Sequence, residues 1–388
     1  MSAKLKAGVI GLGILGSKHV QALVENPDVK LVAVADLRRN VADEVAKQAV
    51  AEAYYDYRAM LVEHRLDLVV VATPDPLHRE PAMAALDAGV PNLIMEKPLA
   101  TTLDDATAIR EKAEAKKAHL FINFSNRAAQ NDIATRYVVQ QGLLGKVVYG
   151  DVRLDDNISV PTAMWGTRTE EWAAGSSTAQ FLLSHVVDIL RWYMAPAEVT
   201  DVFAMSQREV LKYTPDLYDA YLTWDSGARV RVKAEWIRHM DELVEFYISL
   251  SGSEGTLIYN KRPGFAATPG WRANLRQDLT AADLVAHQNK LLELGANVGA
   301  LLHRPRPSTG ALSAGGGALV PSLEHRGDVT VSPTVLVPHF VNAILQDTLT
   351  PTGAEHLGPL PNYVDGWRQS QVVAAIVRSA EKGEPVSL

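Results

Sequence analysis

Through the first 126 residues the apolar positions come in short unbroken runs, and between those runs they repeat with a helical period. "LKAGVI" (5–10), "VKLVAVAD" (29–36), "LDLVVVATP" (66–74), "PNLIMEKP" (91–98) and "HLFINFSNR" (119–127) are continuous rather than alternating. Strands read this way when a parallel sheet buries both of their faces. Between them, "GSKHVQALVEN" (16–26) puts Val20, Leu23 and Val24 on one predicted helix face. "HREPAMAALDAG" (78–89) is a helix stopped by Gly89, and "TLDDATAIREKAEAKKA" (102–118) is another. Strands alternating with helices predict a doubly wound parallel α/β sheet, with its ligand beyond the strand carboxyl ends.

From about residue 127 the period changes. "KVVYGDVRLDDNI", "AYLTWDSGARVRVKAEWI" and "LVEFYISLSGSEGTLIYN" alternate and carry turn signals, as antiparallel strands do, with a hairpin turn at Asp225, Ser226 and Gly227. "STAQFLLSHVVDILRWYM" (177–194) returns to the helical period. The expected division is one domain at 1–126 and a second at 127–388.

A dinucleotide is suggested by "AGVIGLGILGSKHV" (7–20), where a strand, a glycine turn and a helix follow one another. In this pattern Gly11 makes the tight turn, Gly13 admits the pyrophosphate and Gly16 lets helix and strand pack closely, with the helix N-terminus facing the phosphates. Asp36 ends the second strand about twenty residues on, where an acid can bind the ribose hydroxyls. It would repel a 2′-phosphate, whereas Arg38 and Arg39 could pair with one; the balance favours NAD. The expected cofactor contacts are Gly11, Leu12, Gly13, Ile14, Leu15, Gly16, Asp36 and Arg38. Thr73, Pro74, His78, Glu96, Lys97 and Asn123, at or just past later strand ends, complete the set. Asn126 shares that crevice.

Composition narrows the partners. The formal charge of −7 with no long Lys/Arg run argues against nucleic acid or an anionic membrane. There is no cysteine, which excludes disulfides and thiolate chemistry. No apolar span reaches the roughly 18 residues of a membrane helix, and the N-terminal apolar stretch is short for a signal peptide, so a cytoplasmic location is expected.

The segments "GVIGLGILGSKHVQAL", "DLVVVATPDPLHREPAMAALDAGV", "LIMEKPLA" and "LSHVVDILRW" resemble the Gfo/Idh/MocA family of NAD(P)-dependent sugar oxidoreductases. The resemblance implies an N-terminal Rossmann domain and a C-terminal α/β domain with a large, mainly antiparallel open sheet. It also implies hydride transfer between a nicotinamide and a sugar or polyol carbon. Lys97 matches the family's "EKP" lysine, which contacts the reacting hydroxyl and helps transfer its proton, and His185 matches the second catalytic group. A base in such a reaction needs a pKa near ambient pH, and burial beside a positive nicotinamide would lower that of Lys97. A homodimer or homotetramer is expected by resemblance alone.

The chain departs from the family where many members carry an aspartate four residues before the histidine: Phe181 stands there. A phenyl ring neither transfers a proton nor binds a hydroxyl as a carboxylate does, though it can pack on a sugar face. The leading reading is an NAD-dependent dehydrogenase of a sugar, sugar acid or inositol. The alternative is an NAD-dependent glycoside hydrolase acting by transient oxidation, elimination, hydration and re-reduction. A third reading, a non-catalytic NAD-responsive regulator, is opposed by the pairing of Lys97 with His185. Candidate substrate contacts are Asn126, Arg127, Asn157, Trp165, Arg168, Thr178 and His185. The arginines, with Arg304, Arg306 and Arg326 around the Pro/Gly/Ser-rich stretch 304–321, point to an anionic sugar. His185 and Asp188 have the i, i+3 spacing of a metal pair, but no third ligand is evident and Asp188 has Arg191 as an alternative partner, so no metal is expected.

Overall fold

A computed structural model describes residues 4–265, 267–303, 319–327 and 330–388. The chain forms two compact units. One comprises Met1–Ala128, Glu171–Asp188 and Val331–Ala374; the other comprises Ala129–Glu170, Ile189–Thr330 and Ala375–Leu388. A single cut after residue 126 omits the two later segments that return to the first unit, which local periodicity has no means of detecting.

In the first unit the order is β1 (Leu5–Ile10), α1 (Ile14–Glu25), β2 (Val29–Ala35), α2 (Arg39–Ala49), β3 (Glu52–Tyr54) and α3 (Tyr57–Glu63). It continues with β4 (Leu68–Val71), α4 (Arg79–Asp87), β5 (Asn92–Met95), α5 (Leu103–Lys116) and β6 (His119–Ile122). The six strands pair in parallel in the order β3-β2-β1-β4-β5-β6. The topological switch therefore falls between β1 and β4, the place where such sheets open a crevice at their carboxyl ends. All of β4 and β5 is buried, as their unbroken apolar runs require. Ile10, Val69, Val71, Leu93, Met95 and Ile122 meet Ala82, Leu86 and Ile109 of the covering helices.

Two differences from the sequence reading have local causes. The sheet has a sixth strand, β3, whose three residues are too few to show a period, and α2 and α3 on either side of it were not anticipated. On α1 the buried stripe is Gly16, His19, Val20 and Leu23, while Val24 is exposed. A polar residue, His19, thus takes the inward place that the pattern gave to Val24.

The returning C-terminal segment covers the β6 edge: Phe121 pairs with Asn362, and the Ile122 amide donates to the Pro361 carbonyl at 3.0 Å. An open edge would otherwise present unpaired backbone groups. Trp367 Nε1 donates to Thr107 Oγ1 on α5 at 3.1 Å.

The second unit holds a ten-stranded sheet. Its strands are β7 (Val147–Asp156), β8 (Val199–Gln207), β9 (Leu217–Trp224), β10 (Arg229–Glu235), β11 (Val244–Gly252), β12 (Thr256–Arg262), β13 (Gly270–Asn274), β14 (Gly299–His303), β15 (Val320–Arg326) and β16 (Val386–Ser387). They run in the order β14-β15-β13-β12-β11-β7-β10-β9-β8-β16, and every pair is antiparallel except β7 with β10. The expected hairpin is present: Gly227, at φ +84°, closes the β9–β10 turn by donating to Trp224 O. Along β9 the residues Tyr218, Ala220, Leu222 and Trp224 are buried while Tyr221 is exposed, the alternation of a sheet covered on one face. Arg326 is exposed at the end of β15, and Arg304 and Arg306 lie outside the described residues. Among the described residues no helix is long and apolar enough to cross a membrane.

Candidate active site

The turn between β1 and α1 has the shape that its glycines demand. Gly11 adopts φ +89°, and a Cβ there would meet the Ala72 carbonyl oxygen at 2.7 Å. At Gly16 a Cβ would lie 1.9 Å from Gly11 O, so only glycine lets α1 approach this turn. A Cβ on Gly13 would meet nothing within 4 Å, which leaves open space above the backbone at the N-terminus of α1. Close packing below and open space beside a helix N-terminus fit a dinucleotide pyrophosphate.

Asp36 sits just past β2 with both carboxylate oxygens engaged. Oδ2 accepts from the Leu12 amide at 2.8 Å and from Arg38 Nη2 at 2.8 Å; Oδ1 accepts from Arg38 N and Nε, each at 2.9 Å. Burial raises its pKa, but the Arg38 hydrogen bonds and the Leu12 amide outweigh burial and hold the carboxyl below its usual range. Arg38 therefore neutralises the acid that fixes the glycine turn. Arg39 stacks over Tyr55, its guanidinium 4.3 Å from the ring centroid.

Behind the turn lies a buried polar network that sequence reasoning missed. His19 Nε2 is 2.7 Å from Glu96 Oε1, and Asn123 Nδ2 donates to the same oxygen at 2.8 Å and to the Pro333 carbonyl at 2.7 Å. Burial raises the Glu96 pKa, and His19, Asn123 and the Lys97 charge more than reverse it. Glu96 and Asn123 thus tie β5 and β6 to α1. The usable signal was the place of His19 on the stripe 16-19-20-23, where a buried imidazole needs a partner. His78 is also fully buried: its Nδ1 is 2.6 Å from Pro98 O and its Nε2 is 3.0 Å from Thr73 O, so it joins the loops after β4 and β5. Thr73 Oγ1 donates to Leu77 O, closing the turn that begins at Pro74.

Lys97 follows β5, nearly buried. Its Nζ donates to the Phe181 carbonyl at 2.9 Å and lies 3.9 Å from the centroid of the Phe181 ring. Phe181 belongs to a π-helical turn, Ala179–Leu183, that leads into the helix Ser184–Met194; the expected continuous α-helix begins with this wider turn instead. Such turns recur at functional sites because they shift carbonyls out of the regular ladder. His185 opens the next turn, half-buried, with Asn126 Nδ2 3.2 Å from its Nδ1. Thr178, fully buried at the head of the π-turn, has a hydroxyl with no partner among the described residues.

Arg127 does not face outward. Its guanidinium donates to Asp188 Oδ2 and Oδ1 at 3.0 and 2.5 Å and to Asp365 Oδ1 at 3.1 Å, and the side chain is buried. Burial lowers its pKa, and the two carboxylates more than restore it. The substrate role expected of Arg127 is therefore displaced by a structural one. Asp188 pairs with Arg127, and Arg191 binds Glu198. Asn157, Trp165 and Arg168 belong to the second unit. There Asn157 spans two loops, donating to Met240 O and accepting from the Ser159 amide, while Trp165 is half-buried and Arg168 exposed.

Residues 5–124 match the profile described as "Oxidoreductase family, NAD-binding Rossmann fold", and residues 133–258 match the GFO/IDH/MocA C-terminal domain. The chain belongs to the Gfo/Idh/MocA family. Like its relatives, it is an NAD-binding Rossmann oxidoreductase. It is 26% identical over 316 residues to an inositol 2-dehydrogenase of Rubrobacter xylanophilus, covering 79% of this chain and 86% of that protein. It is 28% identical over 198 residues to a levoglucosan dehydrogenase of Pseudarthrobacter phenanthrenivorans, 48% of this chain and 50% of that one. Its fold is similar to that of an Agrobacterium radiobacter oxidoreductase solved with NAD+, L-tartaric acid and magnesium. That match has a TM-score of 0.72 and 19% identity, covering 99% and 98% of the two chains.

Within this family frame, Asp75 and Trp172 are additional residues that the sequence did not reveal. Trp172 Nε1 and Ser176 Oγ both donate to the buried Asp75 carboxylate, each at 2.5 Å, across about a hundred residues of chain. Separation of that order leaves no periodic signal to read.

Proposed function

We propose that this chain is an NAD-dependent dehydrogenase of a neutral cyclic polyol or sugar, with Lys97 and His185 as its catalytic residues. The observation that carries this reading is the seating of the Lys97 amine at the carboxyl end of β5, in the same unit as the glycine turn and as His185. In this reading Gly13 and the α1 N-terminus receive the pyrophosphate and Asp36 the adenosine ribose. Thr73, Pro74, His78, Glu96 and Asn123 shape the wall toward the nicotinamide. Bound NAD supplies the hydride acceptor. The chain must then manage one proton: Lys97 Nζ hydrogen-bonds the reacting oxygen, and the His185 imidazole takes the hydroxyl proton. Phe181 offers Lys97 a carbonyl and a π face, both of which stabilise an ammonium. That arrangement supports Lys97 as the electrostatic clamp and His185 as the proton acceptor, in place of the neutral lysine expected from burial.

A neutral substrate class is supported by Arg127, whose Nε and Nη2 are engaged by Asp188 and Asp365; an anionic preference would rest on its Nη1 or on Arg168. The inositol 2-dehydrogenase and levoglucosan dehydrogenase relatives support the same class. A cytoplasmic homodimer belongs to this reading, supported by the exposed Tyr149, Phe203, Met205 and Tyr221 around Arg231 on the open sheet face of the second unit. Sizing by light scattering tests the dimer.

The deciding assay incubates the protein with NAD and, separately, myo-inositol, levoglucosan and an aryl glucoside, following NADH absorbance and aglycone release. NADH formation without aglycone release is expected. Release of the aglycone with no net NADH would replace this reading by the redox-neutral glycosidase.

A further inference from the structure

We propose that Phe181 is the seat that positions the Lys97 ammonium, and that Asp75, acting through Trp172, holds that seat in place. The kinetic consequence rests on the dehydrogenase reading above; the positioning itself does not. One residue meets the ammonium twice, with its carbonyl at 2.9 Å and its ring centroid at 3.9 Å. A cation within about 6 Å of a ring face is attracted to it, and more strongly where water is excluded, as it is around the nearly buried Lys97.

The ring cannot turn freely. Trp172 packs against it edge-on, with centroids 4.9 Å apart and planes at 81°. Trp172 is in turn fixed by its Nε1 hydrogen bond to Asp75 Oδ1, and Ser176 Oγ holds the other carboxylate oxygen. A buried carboxylate held by two neutral donors is a costly group to bury. Its place here is accounted for by what it orders: the segment 172–181 against the turn that follows β4. Gly175 reinforces the contact, since a Cβ there would sit 3.1 Å from Pro76 Cγ. The π-turn contributes the carbonyl, because Phe181 O accepts from both Lys97 Nζ and Ser184 Oγ. A line of contact therefore runs from Asp75 to Trp172, Phe181 and Lys97, all in the first unit. Asp75, Trp172 and Phe181 are positioning residues in this scheme, and the aromatic ring stands where many family members have an aspartate.

The test is competitive reductive methylation of the full-length protein with formaldehyde and cyanoborohydride. Peptide mass spectrometry reads the rate at Lys97 relative to that at the exposed Lys117. Phe181→Leu removes the π face and should speed Lys97 labelling by about tenfold. Phe181→Tyr keeps the face and should label like the wild type. Asp75→Asn and Trp172→Phe, which loosen the ring's support, should fall between the two. Melting curves establish that each variant is folded, and NAD titration should be unchanged. Wild-type labelling in Phe181→Leu, or equal labelling in Phe181→Leu and Phe181→Tyr, overturns the seat; wild-type labelling in Asp75→Asn removes Asp75 from it. With myo-inositol as substrate, kcat should fall with labelling protection while KM for NAD stays constant. Failure of the functional reading is seen separately, as turnover that survives Lys97→Ala.

Discussion

Arg127 grips Asp188 with two parallel hydrogen bonds, from Nε and Nη2 at 3.0 and 2.5 Å, in the interior of the first unit. The fork geometry of a guanidinium matches a carboxylate, and Asp365 takes a further hydrogen bond from the same group. Asp365 also accepts from the Asn362 amide at the start of the helix Tyr363–Lys382. One arginine thereby joins the turn after β6, the His185 helix and the C-terminal helix. Arg127→Ala should cost about 3–5 kcal/mol of stability, because two buried or half-buried carboxylates lose their cation. Chemical denaturation measures this. A raised substrate KM with unchanged stability would restore Arg127 to the substrate.

The glycine turn separates a steric from a binding role. Gly16→Ala should destabilise the fold and abolish NAD binding together, since its Cβ would collide with Gly11 O. Gly13→Ala should melt like the wild type, because its Cβ enters open space, yet bind NAD at least about tenfold more weakly as the methyl blocks the pyrophosphate. Equal NAD affinity in Gly13→Ala and wild type would show that the phosphates lie elsewhere.

Asp36 holds both the Leu12 amide and Arg38. Asp36→Ala should weaken NAD by about tenfold through loss of charged hydrogen bonds, and should release Arg38 toward a 2′-phosphate so that NADP improves relative to NAD. Fluorescence titration of both dinucleotides gives the ratio. A wild type that prefers NADP would contradict the assignment.

Lys97→Ala should lower kcat by about a hundredfold or more while leaving NAD affinity nearly constant. His185→Ala should do the same. Normal kinetics with only a lowered melting temperature would make His185 a packing residue.

Asp155 on β7 supplies a pH signature of the second unit. Burial pushes its carboxyl up to about 6 against the pull of Lys233. A raised acid favours the protonated fold, so the stability it contributes is greatest at low pH and is lost as pH rises from the ordinary carboxylate range through about 6. Asp155→Asn should therefore gain stability relative to the wild type as pH rises from the ordinary carboxylate range to about 6 and hold that gain above it, measured by calorimetry. A constant difference across that range would mean that Asp155 is ionised throughout.

The sequence by itself determined what depends on neighbours along the chain. The unbroken runs specified buried parallel strands, the spacing of Gly11, Gly13 and Gly16 specified the turn, and alternation after residue 127 specified antiparallel strands. Each follows from backbone period or from the absence of a Cβ, which are local properties. The tertiary structure alone decided partnerships between distant side chains. It turned His19 inward onto Glu96, gave Arg127 to Asp188 and Asp365, returned 171–188 and 331–374 to the first unit, and set Phe181 beneath Lys97. Arginine at position 127 can serve a ligand or an ion pair with the same donors. Which it does depends on carboxylates 61 and 238 residues away, and no period along the chain encodes that meeting.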